Sequence, residues 1–154
     1  MSVEKIVLSQ YQDIVDRAAE SVKGLRVPSE GWIRTVRKSF GMSGAQLARR
    51  KGVTRGLISN TEKAELGGGV TIKAMEQMAE ALGCRFVYAI VPEKSVKDVV
   101  RLRAHEKAKA VTDYTDKQMA LEAQSLDKKQ RNFEIERLTE EFVRDMPSHL
   151  WDES

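Results

Sequence analysis

The sequence predicts a mainly α-helical protein: a bundle of short helices with an N-terminal helix, one short β-strand and C-terminal helices. Three observations predict it. Apolar residues recur at steps of three and four along most of the chain. Glycines and hydroxyl residues stand where those runs should stop and start. The period changes to a strand-like one at CRFVYAIV, Cys84 to Val91. The 154 residues, 41% of them hydrophobic, suffice for one domain with helical extensions or for two modest domains.

Val7, Tyr11, Ile14, Ala18, Val22 and Leu25 form one stripe of a first helix ending near Gly24. Leu25 to Glu30, with Pro28, reads as a linker. Trp32, Ile33, Val36 and Phe40 share a face of a second helix closed by Gly41. Ser43, with Gln46 three residues on, makes a capping box for Gly44 to Lys51, where Ala45, Leu47 and Ala48 turn inward. Thr54 caps the next helix, Arg55 to about Ala64, with Leu57 and Ile58 inward. Past the Gly67 to Gly69 loop, Thr71 caps a helix burying Ile72, Met75, Met78, Ala79 and Leu82, and Gly83 stops it.

Cys84 to Val91 is then the most β-prone stretch, apolar on both faces and ended by Pro92. Val3 to Leu8 is a weak second candidate for a strand. A lone strand leaves its backbone groups unpaired, so the simplest partner is the same strand of a second copy, through Phe86, Val87, Tyr88 and Ile90. Beyond it, Ser95 caps a helix with Val96, Val100, Ala104, Ala108 and Val111, and Ile135, Leu138, Phe142 and Met146 stripe another that ends at Pro147. The chain thus divides into 1–30 (N-terminal helix and linker), 31–83 (helix-turn-helix), 84–92 (dimerisation strand) and 93–154 (C-terminal helical extension).

Composition excludes several classes. No apolar run approaches the roughly 20 residues of a membrane span, so no membrane association is expected. The start MSVEKIVLSQYQDIV has no basic n-region, which points to a cytoplasmic, nucleoid-associated protein without a secretory signal. A single cysteine, Cys84, and two histidines, His105 and His149, supply no metal cluster, cofactor ligand set or catalytic pairing; no metal, no cofactor and no enzyme activity are expected. Charge is uneven. Gly31 to Glu65 carries eight basic residues against two acidic, a local +6, and Asp127 to Ser154 five against eight, a local −3. That asymmetry suits a polyanion at one end and a different task at the other.

The informative unit is Ser43-x-x-Gln46-Leu47-Ala48-Arg49-x-x-Gly52-Val53-Thr54-x-x-x-Ile58-Ser59-x-x-Glu62. Small Ala48 lets two helices cross, Gly52 permits the turn, and Val53 and Ile58 fill the crossing. In such a helix-turn-helix the second helix enters the major groove by its N-terminal end. Base reading then falls to Arg55, Gly56, Ser59 and Asn60. Arg55 is the best reader, through a bidentate contact to guanine, and Gly56 admits the helix end closer to the groove floor. Phosphate contacts fall to Gln46, Arg49, Thr54, Lys63 and the amide of Gly68. Glu62 is expected to pair with a basic residue of the preceding helices. In the acidic C-terminal segment, Phe142, Leu150 and Trp151 are candidates for docking a partner protein.

These residues resemble the lambda-repressor-like, Xre-type helix-turn-helix family from Trp32 to about Leu82, which implies its compact helical bundle; the family usually has leucine where this chain has Thr61. GWIRTVRKSFGMSGAQLARR, the CRFVYAIVP strand followed by Ser95, MALEAQ at Met119 to Gln124 and LWD at Leu150 to Asp152 resemble the mobile mystery protein A family. That resemblance implies a regulator or antitoxin encoded beside a Fic-domain protein on mobile elements. The strand is similar to that of HipB-type antitoxins, in which such strands pair across a dimer. The expectation is a homodimeric transcriptional repressor on a palindromic double-stranded DNA operator, autoregulating its operon. The alternatives are an antitoxin whose main task is to neutralise a Fic-type or other toxin through the C-terminal extension, and a phage-type repressor.

Overall fold

The computed structural model describes residues 2–121 and 126–153, which hold helices α1 (Val3–Ser21), α2 (Trp32–Ser39), α3 (Gly44–Lys51), α4 (Arg55–Gly67), α5 (Ile72–Ala81), α6 (Val96–Leu121) and α7 (Lys128–Asp145). They group into two compact units, Lys23–Ala89 and Met1–Val22 with Ile90–Ser154. The first helix thus groups with the C-terminal extension.

In the Lys23–Ala89 unit, hydroxyl residues start three of the four helices. Ser43 and Gln46 form the reciprocal capping box of α3, Thr54 Oγ1 accepts from the Leu57 amide at 3.1 Å, and Thr71 Oγ1 from the Ala74 amide at 3.0 Å. Gly52, in the left-handed conformation at φ 74°, ends α3 and makes the turn into α4. Around that turn Ile33, Leu47, Ala48, Ile58, Met75, Met78 and Leu82 form the core, and Trp32, Val36, Val53 and Phe86 pack on its edge. Each large side chain buried there contributes about 1.5–3 kcal/mol.

Several inward assignments are corrected. Leu57 is exposed, because α4 turns only Ile58 fully into the core; Phe40 and Ile72, at helix ends, are exposed too. The expected strand is absent among the described residues. In the segment Cys84 to Val91, no second segment lies alongside to pair with it, and of its backbone amides the one bonded is Cys84 N–H, to the Ala79 carbonyl at 2.8 Å. Phe86 alone reaches the core edge; its ring stacks on that of Tyr88, two residues on, at 5.7 Å. Val87, Tyr88 and Ile90 are exposed, Ile90 by 96%, and so is Cys84 at the start of the segment.

In the other unit α6 buries Val100, Ala104, Ala108 and Thr112, four apart, and α7 buries Ile135 and Thr139, also four apart, so the two helices pack along one stripe each. Arg101 bridges them from outside to Glu140 at 2.5 Å and to Glu136 at 3.5 Å, and Arg131 pairs with Asp113. Hydrogen bonding and charge from Arg101 hold the Glu140 carboxyl below its ordinary value. That contribution is therefore present above the ordinary carboxylate range and fades on acidification, and at this exposed site it is small.

Val3 to Leu8 is the opening of α1 and not a strand: Ser2 caps it, accepting from the Lys5 amide at 3.2 Å. No residue of α1 is fully buried; Asp16 caps the start of α6 through the Val96 amide at 2.8 Å. Of the MALEAQ stretch, Met119 to Leu121 end α6, and residues 122–124 lie outside the described residues.

The C-terminal tail folds back onto this unit. Leu150 is buried with Val100 and Ala104, and Phe142 packs beside it. Arg103 donates to the Leu150 and Asp152 carbonyls, each at 2.7 Å, and lies 5.9 Å from the Trp151 ring centroid. Leu150 is thus a core residue of its own chain and Phe142 is half-buried against it, so neither is a free docking anchor; of the three candidates, Trp151 is exposed.

Candidate nucleic-acid interface

The outer face of α4 is set by what its inner face must do. Ile58 is buried under α3, and Glu62 and Glu65 turn toward α2, which leaves Gly56, Ser59, Asn60 and Lys63 on the outer side of the helix and Arg55 at its first turn, all exposed. Arg55, Ser59, Asn60 and Lys63 make no side-chain hydrogen bond or ion pair among the described residues. They face solvent, Arg55 at the N-terminal end that a helix-turn-helix offers to the groove and Lys63 about two turns further along. Ser59 sits one turn after Arg55.

The helix is clamped from behind by two carboxylates. Arg37 of α2 donates Nε to Glu62 Oε1 at 2.8 Å and Nη2 to Oε2 at 3.3 Å, and its Nη1 bonds the Met42 carbonyl at 2.9 Å, so Arg37 is the basic partner expected for Glu62. Glu65 accepts from the Trp32 amide at 2.5 Å and from the Ile33 amide at 3.0 Å. Gly31, the residue before α2, has no side chain to cap it, so α4 supplies the cap from 33 residues away in sequence. Gly31 is required twice. Its φ is +83°, and a Cβ there would lie 2.9 Å from the Glu65 carboxyl carbon. The Glu65 clamp was missed by sequence reasoning, although a helix with no capping side chain was a signal that some distant acceptor must serve it.

The phosphate candidates divide. Gln46 uses Oε1 for the Ser43 amide at 2.8 Å, which leaves its amide NH2 outward, and Arg49 beside it is exposed. Thr54 Oγ1 is the α4 cap and its hydroxyl hydrogen remains available to donate. Gly68 is corrected: its N–H is spent on the Glu65 carbonyl at 3.3 Å, and that of Gly69 on Ala64 at 2.9 Å, because Gly68 at φ 79° is the left-handed cap of α4. Other cations of the basic segment are also engaged. Arg50 bonds the Ala81 carbonyl at 3.0 Å, Lys38 pairs with Glu30 at 3.0 Å, and Arg34 approaches Glu30 at 3.8 Å. The basic residues left for a polyanion are Arg49, Lys51, Arg55 and Lys63.

Residues 33–88 match the helix-turn-helix family model. That stretch is a helix-turn-helix domain. It supports a DNA-binding regulator, and the matched span contains every base-reading candidate together with Phe86, Val87 and Tyr88. No curated protein and no solved structure matches the chain. Among the described residues no helix is long and apolar enough to cross a membrane, and no group of three His, Cys, Asp or Glu residues could hold a metal ion.

Gly56 stands in the first turn of α4, where a Cβ would meet only Thr54 Oγ1 at 3.9 Å. Space for a side chain exists, so the glycine costs helix propensity, about 1 kcal/mol against alanine, without a packing reason. Gly56→Ala should therefore raise the melting temperature by a few degrees. Gly56→Gln should fold as well as the native chain yet change which sequences are enriched when both proteins select from a random duplex pool. An unchanged selection would remove Gly56 from the interface.

Proposed function

We propose that the protein is a sequence-specific transcriptional repressor that binds a palindromic operator as a homodimer and autoregulates its own operon. The observation that carries this reading is the unpaired outer face of α4, Arg55, Ser59, Asn60 and Lys63, held rigidly by the two carboxylate clamps behind it. Two reading helices would meet half-sites about one helical turn, ~34 Å, apart. Footprinting on the DNA upstream of the gene tests it. A protected palindrome is expected, and no protection at any concentration below that for random duplex would refute it.

The homodimer is supported by the segment from Phe86 to Ile90, whose backbone groups have no hydrogen-bond partner among the described residues and whose side chains Val87, Tyr88 and Ile90 are exposed. Pairing with its twin satisfies both. Because Ile90 touches so little of its own chain, Ile90→Asp should leave protomer melting unchanged, shift sedimentation from dimer to monomer and weaken operator binding at least tenfold. An unaltered dimer places the interface elsewhere.

A second reading, an antitoxin that neutralises a Fic-type toxin as the mobile mystery protein A resemblance implies, is favoured by Phe133, exposed by 71% near the start of α7. Removing residues 127–154 would strip Ile135 and Leu150 from the core, so a point change is the better probe. Phe133→Ser should keep DNA binding and abolish neutralisation of the product of the neighbouring gene in a growth assay. Full neutralisation by the variant would count against this surface.

A further inference from the structure

A cavity of about 340 Å³ opens in the Lys23–Ala89 unit, walled by Trp32, Val36, Met75, Ala79 and Phe86. Arg85 is the charged residue of its lining, and it makes no hydrogen bond or ion pair among the described residues. We propose that this cavity binds a small apolar carboxylic acid, its body against Trp32, Met75 and Phe86 and its carboxylate on Arg85, and that occupancy adjusts the reading helix.

The volume lies at the lower end of ligand pockets and suits a molecule of about a dozen non-hydrogen atoms. An apolar segment of a second copy would match the walls but make no use of the exposed guanidinium among the lining residues. An acid satisfies both, with Arg85 forming a bidentate charge-assisted pair. The route to DNA is short. Trp32 and Ile33 line the cavity with their side chains, while their amides hang on Glu65 of α4 at 2.5 and 3.0 Å. A ligand that moves the first turn of α2 pulls on the helix that carries Arg55, and it acts to the extent that it binds one position of that turn better than the other. This regulatory consequence rests on the reading of α4 as the DNA-reading helix; binding itself does not.

The test uses the full chain with Trp151→Phe, so that Trp32 is the sole tryptophan, and two probes, phenylbutyrate and its neutral analogue phenylbutanol. Calorimetry and Trp32 fluorescence without DNA should show the acid binding about tenfold tighter than the alcohol. Arg85→Gln should bring the acid to the level of the alcohol and leave the alcohol unchanged. Ala79→Phe, which fills the cavity, should remove both. Equal binding of the two probes, no binding of either, or an Arg85→Gln variant that weakens both alike overturns the site. If no probe binds and Ala79→Phe instead weakens self-association, the cavity seats a second copy and the proposal is wrong. In a separate measurement, saturating phenylbutyrate should change affinity for the footprinted operator severalfold, and not in Arg85→Gln. Unchanged affinity with the acid bound overturns the coupling, and a failure to find any operator would instead strike the DNA-binding reading while the probe titrations stand.

Discussion

Glu65→Ala is expected to lower the melting temperature of the Lys23–Ala89 unit by roughly 10 °C or more, the largest effect of any single charge removal in that unit. The carboxylate takes two amides at the start of α2, and Gly31 offers no side chain in its place. Losing an N-cap costs about 0.5–2 kcal/mol, and losing hydrogen bonds to a charged group at partly buried amides costs about 1.5–3 kcal/mol; the two overlap, so a net loss of about 2–3 kcal/mol is expected. Glu65→Gln keeps one acceptor oxygen without the charge and should fall about midway. Gly31→Ala should approach the severity of Glu65→Ala, since it combines a positive φ with a Cβ driven into the same carboxyl group. Thermal unfolding followed by far-UV circular dichroism checks all three. If Glu65→Ala melts within a degree of the native chain, the cap does not hold α2.

The sequence could reveal features that are local. Ser43 with Gln46, Thr54, Thr71, Gly52 and Gly83 each act within a few residues of themselves, so the starts of α3 to α5, the stops of α3 and α5 and the crossing at Ala48 and Ile58 were legible. The outer face of α4 was legible for the same reason, because one buried residue fixes the orientation of a helix. What escaped was set by residues far apart in the chain. Glu65 reaches 33 positions back to α2, and Arg50 turns to Ala81 across the domain. Leu150 looked like a free apolar anchor in a polar tail until α6 supplied Val100 and Ala104 to bury it. The Gly68 amide looked available because periodicity ended α4 near Ala64, whereas the helix continues to Gly67 and consumes that amide in its cap. Cys84 to Val91 has the side-chain propensity of a strand, but a strand also needs a neighbour, and among the described residues none lies alongside it.

The second large effect concerns Arg55. Its guanidinium has no partner among the described residues, sits at the first position of α4 and rises from a helix whose next residue has no side chain to obstruct it. A bidentate contact to guanine is worth about 1–3 kcal/mol of discrimination at each half-site, so Arg55→Ala should cost a dimer that amount twice. Lys63, exposed further along the helix, is the candidate phosphate contact; Lys63→Ala should weaken binding to all sequences alike and reduce the salt slope by about 1 per subunit.

The measurement that bears most directly on this assignment is the ratio of affinities for the footprinted operator and a scrambled duplex, taken at several salt concentrations with the native chain, Arg55→Ala and Lys63→Ala. The expected result is a ratio that collapses in Arg55→Ala and is preserved in Lys63→Ala, with only the latter's absolute affinities falling in parallel. An Arg55→Ala protein that binds its operator as tightly and as selectively as the native chain would contradict the assignment of α4 as the helix that reads DNA.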